Sequence, residues 1–251
     1  MKTALITGAS SGIGRVFAQR LAAEGYSLVL VARDLARLEA LSAELQQQHG
    51  TETELIQADL CERAQVERVA NRLRDNTRPV EMLVNNAGAG TAKPFIRNSL
   101  LEEERMLELL IRSVLVLTHA AVPGMMERGR GNIIIVSSVA GFFPGETYCA
   151  AKSWATLFAA SLAGQLSGTG VKASALCPGF VRTEFQQRAG YDTSSLPRWA
   201  WLDAERVVKH CLAKARKGQV VIIPSLRYQL LSFLLRRLPL RLFGRILTQK
   251  T

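Results

Sequence analysis

The chain has 251 residues, of which 48% are hydrophobic and 21% are charged. This length and composition suit one globular domain and exclude a disordered chain or one that needs disulfides to fold. The net charge is +11, but six Lys and Arg lie in residues 225–251, where there is no Asp or Glu. Because much of the basicity is confined to the C-terminus, a nucleic-acid partner is disfavoured.

The cysteines are scattered along the chain and form neither a CxxC pair nor a Cys/His cluster: Cys61, Cys149, Cys177 and Cys211. The spacing therefore predicts no disulfide framework and no metal site. The apolar segment at residues 3–7 is too short for a signal peptide and is typical of a strand. We therefore expect a cytoplasmic protein with reduced cysteines.

Short apolar runs alternate with longer amphipathic stretches along the chain. The runs predict strands over residues 3–7, 28–32, 54–58, 82–84, 132–136, 171–177 and 219–223. The stretches predict helices over residues 13–24, 35–49, 63–74, 102–128, 147–166 and 203–216. Apolar strands that alternate with helices indicate a parallel sheet covered on both faces. We predict a single α/β domain over residues 1–224, a three-layer, doubly wound Rossmann sheet.

A glycine-rich turn, residues 7–14 (TGASSGIG), follows the first strand and opens the first helix. Gly8 permits a tight turn, Gly12 permits close approach to a pyrophosphate, and Gly14 permits close helix packing. The helix N-terminus offers free N–H groups and a positive dipole end to phosphates. The predicted cofactor residues of this turn are Gly8, Ser10, Ser11, Gly12, Ile13 and Gly14.

The residues after the second strand indicate which dinucleotide binds. An acid there hydrogen-bonds the ribose 2′-OH of NAD, but this chain has Arg33 first. A guanidinium pairs with a 2′-phosphate, with a serine of the turn and Arg15 as further contacts. Asp34 is the counter-evidence, and Arg33 is alternatively a solvated residue at the start of the next helix. The sequence favours NADP(H) over NAD(H).

Tyr148 and Lys152 stand at positions i and i+4 and share one face of a predicted helix. At about 4 Å and an effective dielectric constant of about 20, a lysine charge stabilises a phenolate by roughly 4 kcal/mol. That energy equals about three pKa units, so it predicts a Tyr148 pKa near neutrality, as a general acid or base requires.

Together these motifs make the chain resemble the short-chain dehydrogenase/reductase family. They stand in the family order: residues 7–14, Asp59-Leu60, Asn85-Asn86-Ala87-Gly88, Ser137-Ser138, Tyr148 with Lys152, and Pro178-Gly179 with Thr183. They cover the chain from Thr3 to about Pro224.

The resemblance implies a role for each matching residue. Tyr148 exchanges a proton with the substrate oxygen, Lys152 lowers the pKa of Tyr148 and holds the nicotinamide ribose, and Ser138 hydrogen-bonds the substrate oxygen. Ser138 is preferred to Ser137 because the family's serine directly precedes Val-Ala-Gly, at residues 139–141. The implied cofactor residues are Asp59 (against the adenine amino group), Leu60, Asn86, Ala87, Gly88, Pro178, Gly179, Val181 and Thr183, the last four against the nicotinamide.

Two departures from the family pattern concern the proton relay and the substrate site. Leu110 stands where the family usually has an asparagine that holds a relay water, and Ser113 is a conceivable substitute one turn on. Ser138 and Tyr148 are ten positions apart, a shorter spacing than the family's usual one.

Two segments allow more than one interpretation. Residues 180–202 form a long connection that is either a lid or a surface excursion whose tryptophans pack on the core. Residues 225–251 form a basic amphipathic segment, with leucines at 230, 231, 234, 235 and 238. It packs on the domain, on a partner subunit or on an anionic membrane surface, and its arginines rule out a bilayer span.

The sequence thus predicts an NADPH-dependent oxidoreductase that moves a hydride between the nicotinamide and a carbonyl or alcohol of a hydrophobic substrate. The alternative is a family member that binds the cofactor but has weak or lost catalysis and serves as a binding or scaffold protein. We also expect a homodimer or homotetramer, with peripheral membrane contact through residues 225–251 as a further hypothesis.

Overall fold

The computed structural model describes residues 2–237. Its strands are β1 (Lys2–Thr7), β2 (Tyr26–Ala32), β3 (Thr53–Gln57), β4 (Met82–Asn85), β5 (Gly131–Val136), β6 (Val171–Leu176) and β7 (Val221–Ile222). Its helices are α1 (Gly12–Ala23), α2 (Leu35–His49), α3 (Arg63–Arg74), α4 (Leu100–Leu107), α5 (Ser113–Glu127), α6 (Thr147–Gln165), α7 (Phe185–Arg188), α8 (Ala204–Ala215) and α9 (Leu226–Leu235). The predicted strands and helices are all present.

The strands form one parallel sheet in the order β3-β2-β1-β4-β5-β6-β7. The order reverses between β1 and β4, which leaves a crevice at the carboxyl ends of these two strands, the usual ligand site of such sheets. The prediction of a doubly wound Rossmann sheet is confirmed.

Helices cover both faces of the sheet because alternate side chains of each strand enter different cores. Ile6 of β1 packs with Phe17 of α1 and Leu38 of α2 on one face. The next strand residue toward the N-terminus, Leu5, packs with Leu117 of α5 on the other face. The side chains of Leu5, Ile6, Phe17 and Leu117 are all fully buried. Burial of apolar side chains on both faces therefore holds the sheet between its helices.

The longest helical segment, Leu100–Glu127, contains an irregular turn. Ser99 and Glu102 form a capping box at its start, and a π-helical turn over Glu108–Arg112 separates α4 from α5. By length and composition alone these 28 residues suffice to cross a membrane. In the fold, α5 instead lies against α3 and the sheet, with Leu117 and Met125 fully buried, as a core helix does. Single π turns inside α-helices are frequent at functional sites.

After β7 the chain continues into α9, which packs on the domain mainly through Tyr228 and Ser232. The predicted helical spacing of leucines is present in α9 as far as Leu235, whereas Leu238 and the rest of the predicted basic segment lie outside the described residues.

Candidate active site

The glycine-rich turn lies at the carboxyl end of β1 and leads into α1. Gly8 and Gly12 have φ angles of +65° and +54°, which favour glycine. A Cβ atom on Gly14 would lie 2.2 Å from the Gly8 carbonyl oxygen, so only glycine lets α1 begin this close to the turn. Ser10 and Ser11 sit in the turn, while Ile13 packs against the core.

Hydrogen bonds from the two residues that follow β4 hold this turn in place. The Thr7 hydroxyl oxygen accepts from the backbone N–H groups of Asn86 and Ala87, both at 3.0 Å. The Asn86 side-chain amide donates to the carbonyls of Thr7 (2.9 Å) and Gly8 (3.2 Å). Asn86 thus fixes the shape of the turn together with Thr7, the first residue of the motif, to which the sequence had assigned no role of its own.

Of the charged residues near the end of β2, some are exposed and others are bonded to neighbouring groups. Arg33 is exposed, and the Asp34 carboxylate accepts from the Arg37 backbone N–H as the N-cap of α2. Arg15 is paired with Glu44, so the predicted help of Arg15 toward a 2′-phosphate is not supported by its placement. The Asp34 carboxylate, which was the evidence for NAD, therefore serves as a helix cap. Arg33 is the exposed charged residue at this position that could contact a cofactor phosphate.

Asp59 follows β3 and is held by two donors. Its Oδ1 accepts from the Cys61 backbone N–H at 3.0 Å, and its Oδ2 accepts from Arg105 Nη2 of α4 at 3.0 Å. Burial alone would raise the pKa of the Asp59 carboxyl, but these hydrogen bonds and the Arg105 charge lower it below its usual value. The neighbouring Leu60 is buried. Sequence analysis missed Arg105, since nothing in a helix far along the chain marks it as a partner of Asp59.

The two serines after β5 have different surroundings. The Ser137 hydroxyl donates to the Lys152 carbonyl at 2.6 Å and bonds the Thr156 hydroxyl at 2.8 Å, which ties β5 to α6. The Ser138 hydroxyl accepts from the Ala140 backbone N–H at 3.1 Å and shares a hydrogen bond with Tyr148. The structure therefore brings Ser138, and not Ser137, to the tyrosine.

The connection between Ser138 and Tyr148 is short but complete. It consists of one 3-10 turn over Val139–Phe142 and an extended stretch that ends at α6. A Cβ atom on Gly141 would lie 2.7 Å from the Lys152 backbone, so this glycine lets the turn press against α6. The shortened loop thus preserves the pairing of Ser138 with Tyr148.

Lys152 lies one helical turn after Tyr148 and is buried, with 6% of its surface exposed. Its ammonium group donates to the Val136 carbonyl at 2.7 Å and lies 5.6 Å from the centre of the Tyr148 ring. Burial lowers the pKa of Lys152 to about 8.

The predicted fall of the Tyr148 pKa toward neutrality is wrong for this structure. Burial raises the pKa of Tyr148 above its ordinary value of 10, and the hydrogen bond with Ser138 only partly opposes the increase. The spacing of Tyr148 and Lys152 in the sequence shows that they share one face of a helix, but it does not show that both are buried. Burial disfavours the Tyr148 phenolate and the Lys152 ammonium alike.

Leu110 lies in the π-helical turn and is 2% exposed. It packs with Met106, Ala151 and the partly buried Tyr148. A Cβ atom placed on Gly88 would lie 3.4 Å from Leu110 Cδ2 and 3.7 Å from Lys152 Nζ, so Leu110 forms an apolar wall beside the lysine.

Ser113, the conceivable substitute for the relay asparagine, is committed elsewhere. Its hydroxyl donates to the Leu109 carbonyl at 2.6 Å, within the helix. This bond satisfies a carbonyl of the irregular turn, so the placement of Ser113 gives no support to a relay role.

Residues 180–202 cover the site. The Phe185 ring of α7 lies 5.8 Å from the Tyr148 ring, and a Cβ atom on Gly90 would meet both rings. The Tyr191 hydroxyl donates to the Thr91 carbonyl at 3.0 Å, and Ala92 donates to the Ala189 carbonyl at 2.9 Å. These contacts favour the lid interpretation, although Trp201 also packs on Phe180 near the base of the segment.

The start of this segment reaches the glycine-rich turn. A Cβ atom on Gly12 would lie 3.2 Å from Thr183 Cγ2, and Val181 is buried. The Pro178 carbonyl accepts from the Val139 backbone N–H at 3.0 Å. Gly179 packs on the Tyr228 ring of α9, where a Cβ atom would lie 2.0 Å from Cζ. The predicted residues of this motif thus join the glycine-rich turn, the serine turn and α9.

The chain is similar to known proteins. The family model described as short chain dehydrogenase matches residues 2–193. Sulfoacetaldehyde reductase 2 of Chromohalobacter salexigens is 37% identical over 186 residues, which cover 72% of this chain and 73% of that protein.

Two solved structures extend the likeness to nearly the whole chain. A short-chain dehydrogenase from Sphingobium yanoikuyae in complex with NADPH is 36% identical, with a TM-score of 0.86 and 93% of each chain covered. The bulky-bulky ketone specific alcohol dehydrogenase from Comamonas testosteroni is 30% identical, with a TM-score of 0.81 and 95% of each chain covered. The chain therefore belongs to the short-chain dehydrogenase/reductase family and is an oxidoreductase of the kind that acts on alcohol or carbonyl groups.

Proposed function

We propose that this chain is an NADPH-dependent carbonyl reductase, or in reverse an alcohol dehydrogenase, for hydrophobic substrates. The observation that carries the proposal is the convergence of Ser138, Tyr148 and Lys152, with Lys152 next to Gly88 in the segment that holds the glycine-rich turn. A hydroxyl pair next to a buried amine at a cofactor crevice is suited to proton transfer coupled to hydride transfer.

The crevice residues fit a phosphorylated dinucleotide. Gly8, Gly12 and Gly14 keep side chains out of the cradle, and the first turn of α1 offers backbone N–H groups to phosphates. Arg33 is exposed at the end of β2, where its guanidinium suits a 2′-phosphate. The NADPH bound to the Sphingobium relative supports this choice. When bound, NADPH supplies the hydride.

Tyr148 is the proton donor of the proposed reduction. Because burial raises its pKa, the phenol keeps its proton at neutral pH and is ready to protonate a substrate oxygen that gains negative charge. Ser138, already hydrogen-bonded to Tyr148, orients the same oxygen. The protonated ground state of Tyr148 therefore suits reduction.

Lys152 stabilises the phenolate that this proton transfer leaves. With a pKa of about 8, most of Lys152 remains protonated at pH 7. Its charge lies 5.6 Å from the centre of the Tyr148 ring, in an environment with little water to screen it. Lys152 thus favours the phenolate, but burial outweighs this effect and keeps the pKa of Tyr148 above its ordinary value.

The walls of the site support a hydrophobic substrate. Leu110 packs beside Tyr148 from one side, and Phe185 lies against it from the lid. Neither side chain hydrogen-bonds a polar substrate group. The Comamonas relative, named as specific for bulky-bulky ketones, supports the same substrate class.

Incubation with NADPH and a panel of hydrophobic ketones and aldehydes tests this function through the loss of NADPH absorbance. We expect Tyr148→Phe to lower kcat by about 10²–10⁴-fold with little change in NADPH binding. We expect Lys152→Ala to lower both kcat and the affinity for NADPH, because it removes the charge beside Tyr148 and the proposed contact with the nicotinamide ribose.

Tyr26→Phe is the matched control, since Tyr26 lies in β2 away from Tyr148 and its variant keeps full activity. A Tyr148→Phe variant with most of its wild-type turnover rules out the proposed mechanism.

A further inference from the structure

Helix α9 has an unusual distribution of exposed residues. Its inward face is small and consists mainly of Tyr228 and Ser232. Its outward face is apolar, with exposed fractions of 80% for Leu226, 62% for Leu230 and 53% for Leu234. These three leucines are spaced by four residues and therefore form one stripe along the helix. We call this stripe, with the neighbouring Leu231 and Phe233, the α9 apolar face.

An exposed tryptophan extends this surface. Trp199 of the lid is 64% exposed, and the Arg227 guanidinium lies 6.0 Å from its ring centre. Arg227 also donates to the Trp199 carbonyl, so α9 and this part of the lid are held together. An amphipathic ring beside apolar residues is typical of surfaces at the boundary between lipid and water.

The charged residues of α9 and of the two residues that follow it are all positive. Arg227, Arg236 and Arg237 belong to α9 or follow it directly, and within residues 2–237 none forms a salt bridge with a carboxylate. Arg237 lies over the Phe233 ring at 3.8 Å, which keeps its charge beside the apolar face. The sequence of residues 225–251 contains no Asp or Glu. Arginines without a carboxylate partner in residues 2–237 therefore flank the exposed leucines, Arg227 beside Trp199 and Arg237 beside Phe233, whereas Arg236 lies over the Phe142 ring of the domain.

We propose that the α9 apolar face, with Trp199, docks on an anionic lipid bilayer. Leucines and tryptophan enter the boundary between headgroups and acyl chains, and the arginines bind anionic headgroups. A second copy of the chain fits less well, because a two-fold interface would pair this positively charged surface with itself. DNA supplies phosphates but offers the leucines no apolar surface of comparable extent.

This surface is linked to the lid over residues 180–202. Tyr228 on the opposite side of α9 bonds the backbone of Phe180 and Ala200, the two ends of the lid. A docked α9 would therefore hold the lid next to the bilayer, from which an apolar substrate enters. The docking itself does not depend on the enzymatic activity and is tested without it.

Sedimentation of the full chain with vesicles tests the proposal. We expect the protein to sediment with vesicles of phosphatidylcholine mixed with phosphatidylserine, to stay in solution with pure phosphatidylcholine, and to be released by added salt. Leu230→Glu with Leu234→Glu weakens binding by about tenfold or more. Arg237→Gln weakens it by about fivefold.

The control is Leu100→Glu with Leu101→Glu, because these α4 leucines are 72% and 65% exposed but lie outside the α9 apolar face. It binds like the wild type. Thermal melting verifies that all variants are folded. The proposal is overturned by failure to bind anionic vesicles, by equal binding of the α9 variant and the control, or by a change in the oligomeric state of the α9 variant without any vesicle binding. Equal capture by DNA of the wild type and the α9 variant, with no vesicle binding, identifies simple polyanion attraction and also overturns it.

Discussion

The Lys152 ammonium donates to the main-chain carbonyl of Val136, the last residue of β5, at 2.7 Å. The bond gives a buried cation one fixed acceptor, yet it does not replace the water lost on burial, because the pKa of Lys152 remains lowered to about 8. The hydrogen bond thus fixes Lys152 to the sheet, while burial of its charge lowers the stability of the folded protein.

This burial predicts how stability changes with pH. Unfolded Lys152 holds its proton up to its ordinary pKa of 10.5, whereas folded Lys152 releases it near 8. Between these values the unfolded chain binds more protons, so the free energy of unfolding rises with pH. Relative to Lys152→Met, we expect the wild type to gain about 3 kcal/mol across this range.

Urea denaturation of the wild type and Lys152→Met at several pH values measures this gain. Lys209→Met is the control, because Lys209 is exposed on α8 and its variant shares the wild-type pH dependence. A constant difference between the wild type and Lys152→Met over this pH range would contradict the desolvation of Lys152.

Cofactor choice gives a second prediction. Arg33→Ala removes the exposed guanidinium at the end of β2, so NADPH affinity falls by about 1.5–3 kcal/mol while NADH affinity is nearly unchanged. Arg15→Ala is the matched control: Arg15 pairs with Glu44, and its loss leaves the preference intact. Fluorescence titration with both cofactors distinguishes the variants. Equal losses of affinity for NADPH and NADH in Arg33→Ala would contradict the role of Arg33 in binding the 2′-phosphate.

Asp34→Ala separates capping from cofactor recognition. Asp34 caps α2 by accepting from the Arg37 N–H, so the substitution lowers the free energy of unfolding by about 1 kcal/mol. The ratio of the affinities for NADPH and NADH stays unchanged. Thermal melting and cofactor titration of this one variant check both parts. A change in the ratio without a loss of stability would mean that the carboxylate faces the ribose.

The sequence predicted the fold well because its signals are local. The continuous apolar run at residues 28–32 and the spacing of Gly8, Gly12 and Gly14 can each be seen in a short stretch of chain. The bond of Arg105 to Asp59 joins residues far apart in sequence and had no local signal. The pKa of Tyr148 was predicted in the wrong direction because i, i+4 spacing shows proximity to Lys152 but not the burial that outweighs it.

Leu110, which stands where the family usually has a relay asparagine, is a packed core residue in this structure. The structure places it 2% exposed among Met106, Ala151 and Tyr148, so we predict that Leu110→Asn lowers the free energy of unfolding by about 1–3 kcal/mol without raising kcat. Leu110→Met, which keeps the volume and polarity of the site, is the control and costs less than about 1.5 kcal/mol. Thermal melts and steady-state kinetics test both variants. A higher kcat in Leu110→Asn, with a solvent isotope effect smaller than that of the wild type, would instead establish the relay.

Tyr228 joins both ends of the lid through one hydroxyl group. This hydroxyl donates to the Ala200 carbonyl at 2.7 Å and accepts from the Phe180 N–H at 3.2 Å, while the ring packs on Gly179. Tyr228→Phe keeps the ring but leaves both backbone groups unpaired, which destabilises the closed lid by about 1–3 kcal/mol.

We expect the Tyr228→Phe substitution to act on substrate binding and not on cofactor binding. The substrate KM rises by about fivefold or more, the NADPH affinity stays near that of the wild type, and proteolysis within residues 180–202 becomes faster. Tyr26→Phe, in β2, controls for the loss of a tyrosine hydroxyl elsewhere. An unchanged KM together with unchanged proteolysis would mean that the lid is held by its contacts with Thr91 and Tyr148 and that α9 merely packs beside it. A parallel loss of NADPH affinity would instead place the effect at Thr183, where the same segment meets the glycine-rich turn.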